Sequence, residues 1–467
     1  MHIKQKNLLL INPWIYDFTA FDLWSKPLGI LYLAAFLRDA GFNISFIDCL
    51  QLKTKTQKYG TGTFHREVIA KPDLLSHIPR HFARYGISES EFIRQTSQIP
   101  EPDAILVTSI MTYWYPGVQR AVQMLRDRFP GKPIILGGIY ATLMPEHAKR
   151  VIKPDYLITG PGEEKVLNLL QDILNIDLSD YKLPSDIDSY PIPAFDLYGK
   201  LDYLIIMTAR GCPFDCSFCA QKKISRPFTQ RDPYKVIAEI IAQYQKYKIR
   251  DFAFYDDALF INRDRHIKLI LQGLIDAQIP VRLHSPNGLF AGMIDAELAT
   301  LMYQANFKTV RLSFETSNEQ RRKEMYNKIS NQGMQQAVSY LTAAGYAPQK
   351  LDAYVIMGLP DQDLEEVLGS MIFVNNLGVQ IRLASYSPIP GTRDFSRAVA
   401  AEQISPDIDP LLTNKSIFPL CKGEDGYNTY RKIRVFSQVL NNAAEKDLRL
   451  FADPEIGSGI KSVLEAV

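Results

Sequence analysis

The chain has 467 residues, of which 46% are hydrophobic and 22% charged, and this composition excludes a disordered or fibrous protein and suggests two or three domains. The formal net charge of +2 gives no electrostatic reason to expect a nucleic-acid partner. No stretch approaches the roughly 20 apolar residues of a membrane span. No signal-peptide pattern is seen. We therefore expect a cytoplasmic protein that does not bind membranes.

Apolar runs and helical patterns alternate over residues 1–175. The helical pattern at 28–38 is followed by Gly41, a residue typical of a helix C-terminus, and Pro116 favours another helix start. Near-continuous apolar strands joined by helices are typical of a parallel sheet that is covered on both faces. The sequence therefore predicts an N-terminal doubly wound, Rossmann-like α/β domain. Its five predicted strands are 7–11, 43–47, 104–108, 133–136 and 156–158.

Two segments interrupt this alternation. Residues 50–100 are polar and too long for a plain loop, so we predict a partly helical insertion. Residues 176–200 contain Pro184, Pro191 and Pro193, which predicts a linker.

A second alternating series occupies residues 201–395. Six strand and helix units predict a partial, TIM-like (β/α)6 barrel with its chemistry at the carboxyl ends of the strands. Residues 396–467 are predicted to form a helical C-terminal tail, with an amphipathic helix at 426–446. The predicted barrel strands end near Thr208, Phe254, His284, Phe314, Met357 and Tyr386.

Three of the five cysteines, Cys212, Cys216 and Cys219, lie close together after the first barrel strand. This clumping is unlike a disulfide framework. Iron–sulfur clusters of four irons are held by cysteine thiolates, so three ligands leave one iron open to a substrate or cofactor. The alternative is structural zinc, which needs four closed ligands, and the nearest histidine, His266, lies beyond the next strand.

The Cys-x3-Cys-x2-Cys spacing, with Phe218 before the last cysteine, resembles the signature of the radical S-adenosylmethionine superfamily. The resemblance implies a 4Fe-4S cluster whose open iron binds the amino and carboxylate groups of S-adenosylmethionine. An electron from the reduced cluster then cleaves this cofactor to methionine and a 5′-deoxyadenosyl radical. A donor such as flavodoxin or ferredoxin would supply the electron.

Three further strand ends resemble cofactor-binding segments of the same family. Asp256 and Asp257 stand where the family contacts the methionine amino group, and an ordinary Asx-capped helix start is the alternative. Ser313 and Glu315 resemble its ribose- and carboxylate-contacting segment, with strand-end solvation as the alternative. Gly358 resembles the backbone beside the adenine, or a tight turn.

The order of the two predicted domains resembles the cobalamin-binding class of this superfamily. Thr108, Ser109, Gly137, Gly138 and Gly160 follow predicted strands, where the resemblance implies contacts to the nucleotide tail of cobalamin. The N-terminal domain lacks an Asp-x-His-x-x-Gly motif, so we expect no histidine from that motif on cobalt. A domain that keeps the fold without the cofactor is the alternative.

The resemblance implies a cobalamin-dependent enzyme that methylates an unactivated carbon or phosphorus of an unknown small-molecule or peptide substrate. It assigns no residue to the substrate. The alternatives are a radical rearrangement, cyclisation or oxidation without methyl transfer, and a non-catalytic redox sensor. His147 and His284 are predicted to be hydrogen-bonded structural residues, and residues 59–66 are candidates for a substrate mouth or for surface packing.

Overall fold

The computed structural model describes residues 6–326, 329–421 and 423–446. The chain divides into two compact units. The first contains Met1–Tyr203, Lys223–Arg226 and Asp409–Thr413, and the second contains the remainder. Within the described ranges, no helix has the length and apolarity needed to cross a membrane.

The first unit contains eleven strands and six α-helices among its described residues. Its strands are β1 (Asn7–Asn12), β2 (Ile15–Asp17), β3 (Phe21–Asp22), β4 (Asn43–Asp48), β5 (Lys53–Thr56), β6 (Gly62–Phe64), β7 (Arg66–Val68), β8 (Ala83–Tyr85), β9 (Ala104–Val107), β10 (Ile134–Leu136) and β11 (Tyr156–Leu157). Its helices are α1 (Leu28–Asp39), α2 (Glu89–Ser97), α3 (Tyr115–Arg128), α4 (Ile139–Leu143), α5 (Pro145–Val151) and α6 (Glu163–Leu174).

Five of these strands form a parallel sheet in the order β11-β10-β9-β1-β4. Leu9 lies in the middle of β1 and pairs with Ser45 on one side and Ile105 on the other. The strand order reverses between β1 and β9, which is where such sheets bind ligands at their carboxyl edge. The predicted doubly wound, Rossmann-like domain is therefore confirmed.

The insertion between β4 and β9 contains more β structure than predicted. It has one α-helix, α2, and contributes to two small antiparallel sheets, β2-β8-β7 and β3-β6-β5. The strand Lys53–Thr56 is polar and gains its order from pairing with β6, a contact that local composition does not reveal.

The second unit has eight strands and nine α-helices among its described residues. Its strands are β12 (Leu204–Ile206), β13 (Ala209–Arg210), β14 (Thr229–Gln230), β15 (Asp251–Phe254), β16 (Arg282–His284), β17 (Phe307–Glu315), β18 (Leu351–Met357) and β19 (Gln380–Ser385). Its helices are α7 (Gln221–Ile224), α8 (Pro233–Tyr247), α9 (Ile267–Asp276), α10 (Ala296–Gln304), α11 (Glu319–Glu324), α12 (Asn331–Ala343), α13 (Leu364–Asn376), α14 (Arg393–Ala400) and α15 (Gly423–Glu445).

Six strands form the parallel sheet β12-β15-β16-β17-β18-β19, which confirms the partial (β/α)6 barrel. Side-chain caps fix where its helices begin: Asp232, Ser330 and Asp363 accept backbone N–H groups in the first turns of α8, α12 and α13. The predicted site residues lie in the loops that follow these strands, at the carboxyl edge of the sheet.

The C-terminal helix α15 covers the last barrel strand. The side chain of Asn441 accepts a hydrogen bond from the backbone N–H of Ile381 and donates one to its carbonyl oxygen, at 2.7 and 3.0 Å. These bonds satisfy backbone groups on edge strand β19. Residues 447–467 of the predicted helical tail lie outside the described residues.

Candidate functional site

The three clustered cysteines lie on the loop between β13 and α7. None of the three forms a disulfide, and the backbone N–H of Cys219 donates to the carbonyl oxygen of Cys216 at 3.1 Å. Burial, followed by the charges of Cys216, Asp257 and Cys212, raises the pKa of the Cys219 thiol to about 11. Three cysteines on one loop can supply three thiolate ligands to an iron–sulfur cluster.

The N-terminus of α14 holds this loop in place. The hydroxyl of Ser217 donates to the buried carboxylate of Asp394 at 2.8 Å, and the backbone N–H of Asp394 donates to the carbonyl of Ser217 at 3.1 Å. The guanidinium of Arg393 donates to the carbonyl of Asp215 at 2.5 Å. The sixth barrel unit thus positions the loop that follows the first.

Asp256 anchors the other end of the loop. Its buried carboxylate accepts the backbone N–H of Thr208 at 3.0 and 3.1 Å and the Thr208 hydroxyl at 2.6 Å. Burial raises the pKa of Asp256 to about 6, against the lowering effect of these bonds. Because Thr208 follows β12 and Asp256 follows β15, these hydrogen bonds link the C-terminal ends of the two strands.

Asp257 has a different environment from its neighbour. The residue is exposed, and its carboxylate accepts a hydrogen bond from Gln221 at 2.5 Å. Burial of the carboxyl group, followed by the charge of Asp256, raises its pKa to about 7. Of the two aspartates, Asp257 is the one that reaches the surface, although the protein packs closely around its carboxyl group, and contact of either with S-adenosylmethionine remains a prediction.

A narrow pocket in the second unit lies between the cysteine loop and the end of β17. Cys216, Ser313, Glu315 and Arg322 all line it. The pairing of β17 with β18 shifts between Ser313 and Glu315, and Glu315 has a φ of +70°, a conformation that is costly for a residue with a side chain. Two predicted cofactor residues therefore share a pocket with one predicted cluster ligand.

Arg322 is the pocket residue that the sequence did not suggest. It is buried, and its Nη1 donates to the carbonyls of Thr316 and Ser317, each at 3.3 Å, and to the side chain of Asn331. Its Nε has no hydrogen-bond partner among the described residues, and the carboxylate of the exposed Glu319 lies 3.7 Å from Nη2. Burial lowers the pKa of Arg322, so an anion in the pocket would stabilise its charge.

Gly358 lies outside the lining of this pocket. Its φ is +87°, its N–H donates to Gln362 at 2.8 Å, and an added Cβ would lie 3.2 Å from the hydroxyl of Tyr430 on α15. The structure therefore shows a tight turn, and its proximity to adenine remains a prediction.

The carboxyl edge of the first unit's sheet contains the residues predicted to contact cobalamin. Gly138 has a φ of +96°, and an added Cβ would lie 2.2 Å from the carbonyl oxygen of Ser109. The Ser109 hydroxyl donates to the carbonyl of Gly137 at 2.7 Å. Only glycine permits this close approach of the β9 and β10 loops.

A side-chain hydroxyl also links the loops that follow β10 and β11. The hydroxyl of Thr142 donates to the carbonyl of Gly138 and accepts the N–H of Gly160, each at 2.8 Å. Gly137 and Gly160 have no heavy atom within 3.5 Å of an added Cβ, so there is open space beside both residues. Thr108 follows β9 and donates its N–H to Ile11 at 3.0 Å. An accessible backbone edge at the ends of β9, β10 and β11 suits a bulky ligand such as cobalamin.

The histidines have structural partners. His147 Nδ1 lies 2.7 Å from the hydroxyl of the fully buried Tyr140, and His284 lies 3.0 Å from Asp251 and 2.9 Å from Thr309. Both are hydrogen-bonded structural residues, as predicted. His266, in the chain's Asp-x-His sequence, lies in the second unit at the start of α9.

Two family models match the chain. The model of the radical SAM superfamily matches residues 206–373, which span most of the six-stranded sheet, and the model of the B12-binding domain matches residues 81–170, which include β9, β10 and β11.

Curated relatives include two methyltransferases and a cyclase. The chain is 25% identical to an uncharacterized methyltransferase of Pyrococcus horikoshii, over 64% of this chain and 70% of the relative. It is 20% identical to the cytidylyl-2-hydroxyethylphosphonate methyltransferase of Streptomyces wedmorensis, over 86% and 84%. It is 26% identical to the anaerobic magnesium-protoporphyrin IX monomethyl ester cyclase of Rubrivivax gelatinosus, over 60% and 55%.

Solved structures share the fold. The radical S-adenosylmethionine methyltransferase TsrM from Kitasatospora setae matches with a TM-score of 0.62 and 15% identity, over 86% of this chain and 77% of that one. The cobalamin-dependent radical enzyme OxsB matches with a TM-score of 0.61 and 12% identity, over 99% and 76%.

The thiol loop, the pocket beside it and the glycine-rich sheet edge agree with these matches. The chain is therefore an enzyme of the radical S-adenosylmethionine superfamily that carries a B12-binding domain, and its cofactors are a 4Fe-4S cluster, S-adenosylmethionine and cobalamin.

Proposed function

We propose that this enzyme transfers a methyl group from S-adenosylmethionine to an unactivated carbon, or to phosphorus, of its substrate. One observation supports this proposal: the same chain contains both a radical SAM pocket, lined by Cys216, and the glycine-rich edge of a B12-binding domain. The phosphonate methyltransferase also aligns with 86% of this chain, against 60% for the cyclase.

The bound cluster and S-adenosylmethionine supply a carbon-centred radical, and bound cobalamin supplies a carrier for the methyl group. Cys212, Cys216 and Cys219 hold three irons of the cluster. The loop stays in position because Asp394 binds Ser217.

We assign the two charged ends of S-adenosylmethionine to different side chains. Arg322 binds its carboxylate, because the buried guanidinium lines the pocket and has an Nε–H available for it. Asp257 accepts hydrogen bonds from the ammonium group. Glu315 lines the same pocket as Cys216 and accepts hydrogen bonds from the ribose hydroxyls.

In the first unit, Thr108, Ser109, Gly137, Gly138 and Gly160 support cobalamin through backbone groups and hydroxyls. His147 would not serve as a cobalt ligand, because its buried ring is already hydrogen-bonded to the hydroxyl of Tyr140. The external electron donor is a flavodoxin or a ferredoxin.

The relatives indicate which substrates to examine first. Their names describe a cytidylyl-phosphonate and bacteriochlorophyllides as methyl acceptors, and TsrM has been solved with tryptophan. These three, together with magnesium-protoporphyrin monomethyl ester, form a panel for the reconstituted enzyme.

The test uses S-adenosylmethionine with a deuterated methyl group, cobalamin and a reductant, under anaerobic conditions. Mass spectrometry of each substrate after turnover should find the deuterated methyl group in one product. Formation of 5′-deoxyadenosine with a changed but unlabelled product would contradict methyl transfer and support the radical cyclisation or oxidation that the cyclase relatives suggest.

A further inference from the structure

A second cavity lies in the first unit, away from the glycine-rich edge. Its volume is about 850 Å³, within the range of small-molecule sites. It lies past the carboxyl end of β4, at one border of the five-stranded sheet, whereas the glycines follow β10 and β11 near the other border. We call it the insertion pocket, because Leu52, His65 and Ile87 of the insertion line it, together with Lys26 and Tyr198.

Most charged groups around the insertion pocket already have partners. Lys53 binds Asp22 at 2.7 Å and Asp202 at 3.0 Å. Glu91 binds Arg94 at 2.6 Å. These pairs satisfy the charges of Asp22, Asp202 and Glu91 within the first unit.

Lys26 differs from the other cations of the pocket. Its ammonium lies 4.2 Å from the ring centroid of the buried Tyr198 and 5.7 Å from that of Tyr203. Across the described part of the chain, no carboxylate lies within ion-pair distance of it. Lys26 also lies two residues before α1, a helix with no side-chain cap and no acidic residue in its first turn, so the helix dipole adds positive potential.

Three lining side chains offer apolar surface, Leu52, Ile87 and the ring of Tyr198, beside polar neighbours such as Gln51, Thr56 and Ser88. Leu52 is 44% exposed although it lines the cavity, and the ring of Tyr198 and the side chain of Ile87 lie beside it. An exposed leucine in a concave site is a favourable contact for an apolar ligand.

We propose that the insertion pocket binds a small organic anion with an apolar body, whose carboxylate, sulfonate or phosphate group contacts Lys26. This site is distinct from the two cofactor sites, and its existence does not depend on the proposed methyl transfer. It also gives the insertion a function, because most of the lining residues come from it.

The test uses the fluorescent sulfonate 1-anilinonaphthalene-8-sulfonate and the uncharged N-phenyl-1-naphthylamine as probes of the full-length protein. Lys26→Met should weaken binding of the sulfonate about five- to tenfold and leave the uncharged probe unaffected. Lys26→Arg should retain sulfonate binding. Lys58→Met is the matched control, because Lys58 also lies over a tyrosine ring, at 4.6 Å, but outside the pocket.

Equal sulfonate affinity in wild type and Lys26→Met would overturn the proposal. So would loss of both probes in Lys26→Met and in Lys26→Arg, since the residue would then act through structure alone. Displacement of the sulfonate by hydroxocobalamin would show that the cavity belongs to the cobalamin site and would also overturn it. No arm needs S-adenosylmethionine or a reductant, so the outcome is separate from that of the methyl-transfer test.

Discussion

The carboxylate of Asp256 and the backbone N–H and hydroxyl of Thr208 form three hydrogen bonds, of 2.6 to 3.1 Å, in the interior of the barrel. They fix the start of the cysteine loop to the end of the neighbouring strand. Asp394 fixes the same loop from the opposite side, through Ser217. Several barrel units therefore determine where the three thiols lie.

Replacing Asp394 should loosen the cysteine loop. Asp394→Ala removes a buried charge-assisted hydrogen bond to Ser217, which is worth about 1.5 to 3 kcal/mol. We expect lower iron content after anaerobic reconstitution and faster loss of the cluster's visible absorption in a chelator. Asp407→Ala is the control, because Asp407 is exposed in the following loop. Iron retention equal to wild type in Asp394→Ala would contradict this role.

Replacing Gly138 tests the close approach at the B12-binding edge. In Gly138→Ala the new Cβ meets the carbonyl oxygen of Ser109, so we expect a loss of about 3 kcal/mol or more in unfolding free energy and weaker cobalamin binding. Gly131→Ala is a matched control, because its φ is also positive, at +76°, but no atom lies within 4 Å of the added Cβ. Chemical denaturation of both variants separates the clash from the backbone strain. Equal losses in the two variants would show that the contact with Ser109 is unimportant.

The assignment of Arg322 predicts a specific loss of carboxylate recognition. Wild type should bind S-adenosylmethionine roughly tenfold or more tightly than its decarboxylated analogue, and Arg322→Gln should abolish most of that difference. Lys323→Gln is the control, because Lys323 is exposed on the same helix. Equilibrium dialysis of both compounds measures the ratio. A ratio unchanged in Arg322→Gln, with both affinities intact, would remove Arg322 from the cofactor site.

The buried ring of His147 leads us to expect that the stability of the folded protein depends on pH. Burial lowers the pKa of His147 below its usual 6.5, opposed by Asp409, 4.0 Å away, and assisted by the charge of Arg150. The folded protein therefore favours the neutral ring. Its contribution to stability is complete above pH 6.5 and decreases as the pH falls below that value.

Thermal unfolding of wild type and His147→Gln at pH 8 and pH 5 measures this contribution. The advantage of wild type in Tm should be smaller at pH 5 than at pH 8. His77→Gln is the control, because His77 is exposed. An advantage of wild type that increases at pH 5 would contradict the assigned sign.

Local sequence predicts the repeating part of the fold and the thiol loop. The strands of both parallel sheets are short apolar runs, and Cys212, Cys216 and Cys219 are close in sequence, so no tertiary information is needed to group them. The strands of the insertion are different. Lys53–Thr56 has no apolar alternation, and its partner strand lies across a turn.

The roles of individual charged residues depend on tertiary packing. Arg322 belongs to a charged segment, Glu319–Glu324, whose sequence resembles a solvated helix. The side chain of Arg322 is nevertheless buried, where it contacts Asn331 at the start of α12. Asp256 and Asp257 are adjacent and chemically identical, and only the folded barrel determines which of them binds Thr208. Sequence therefore identifies the family and the edge of the sheet, and three-dimensional contacts assign the side chains.

The most direct test of cobalamin-dependent methyl transfer measures two nucleosides from one anaerobic reaction of the reconstituted enzyme with S-adenosylmethionine and a reductant. Loss of the methyl group leaves S-adenosylhomocysteine, whereas radical cleavage leaves 5′-deoxyadenosine. We predict both nucleosides when cobalamin is bound, and only 5′-deoxyadenosine when it is omitted. Formation of 5′-deoxyadenosine without S-adenosylhomocysteine in the cobalamin-loaded enzyme would contradict methyl transfer.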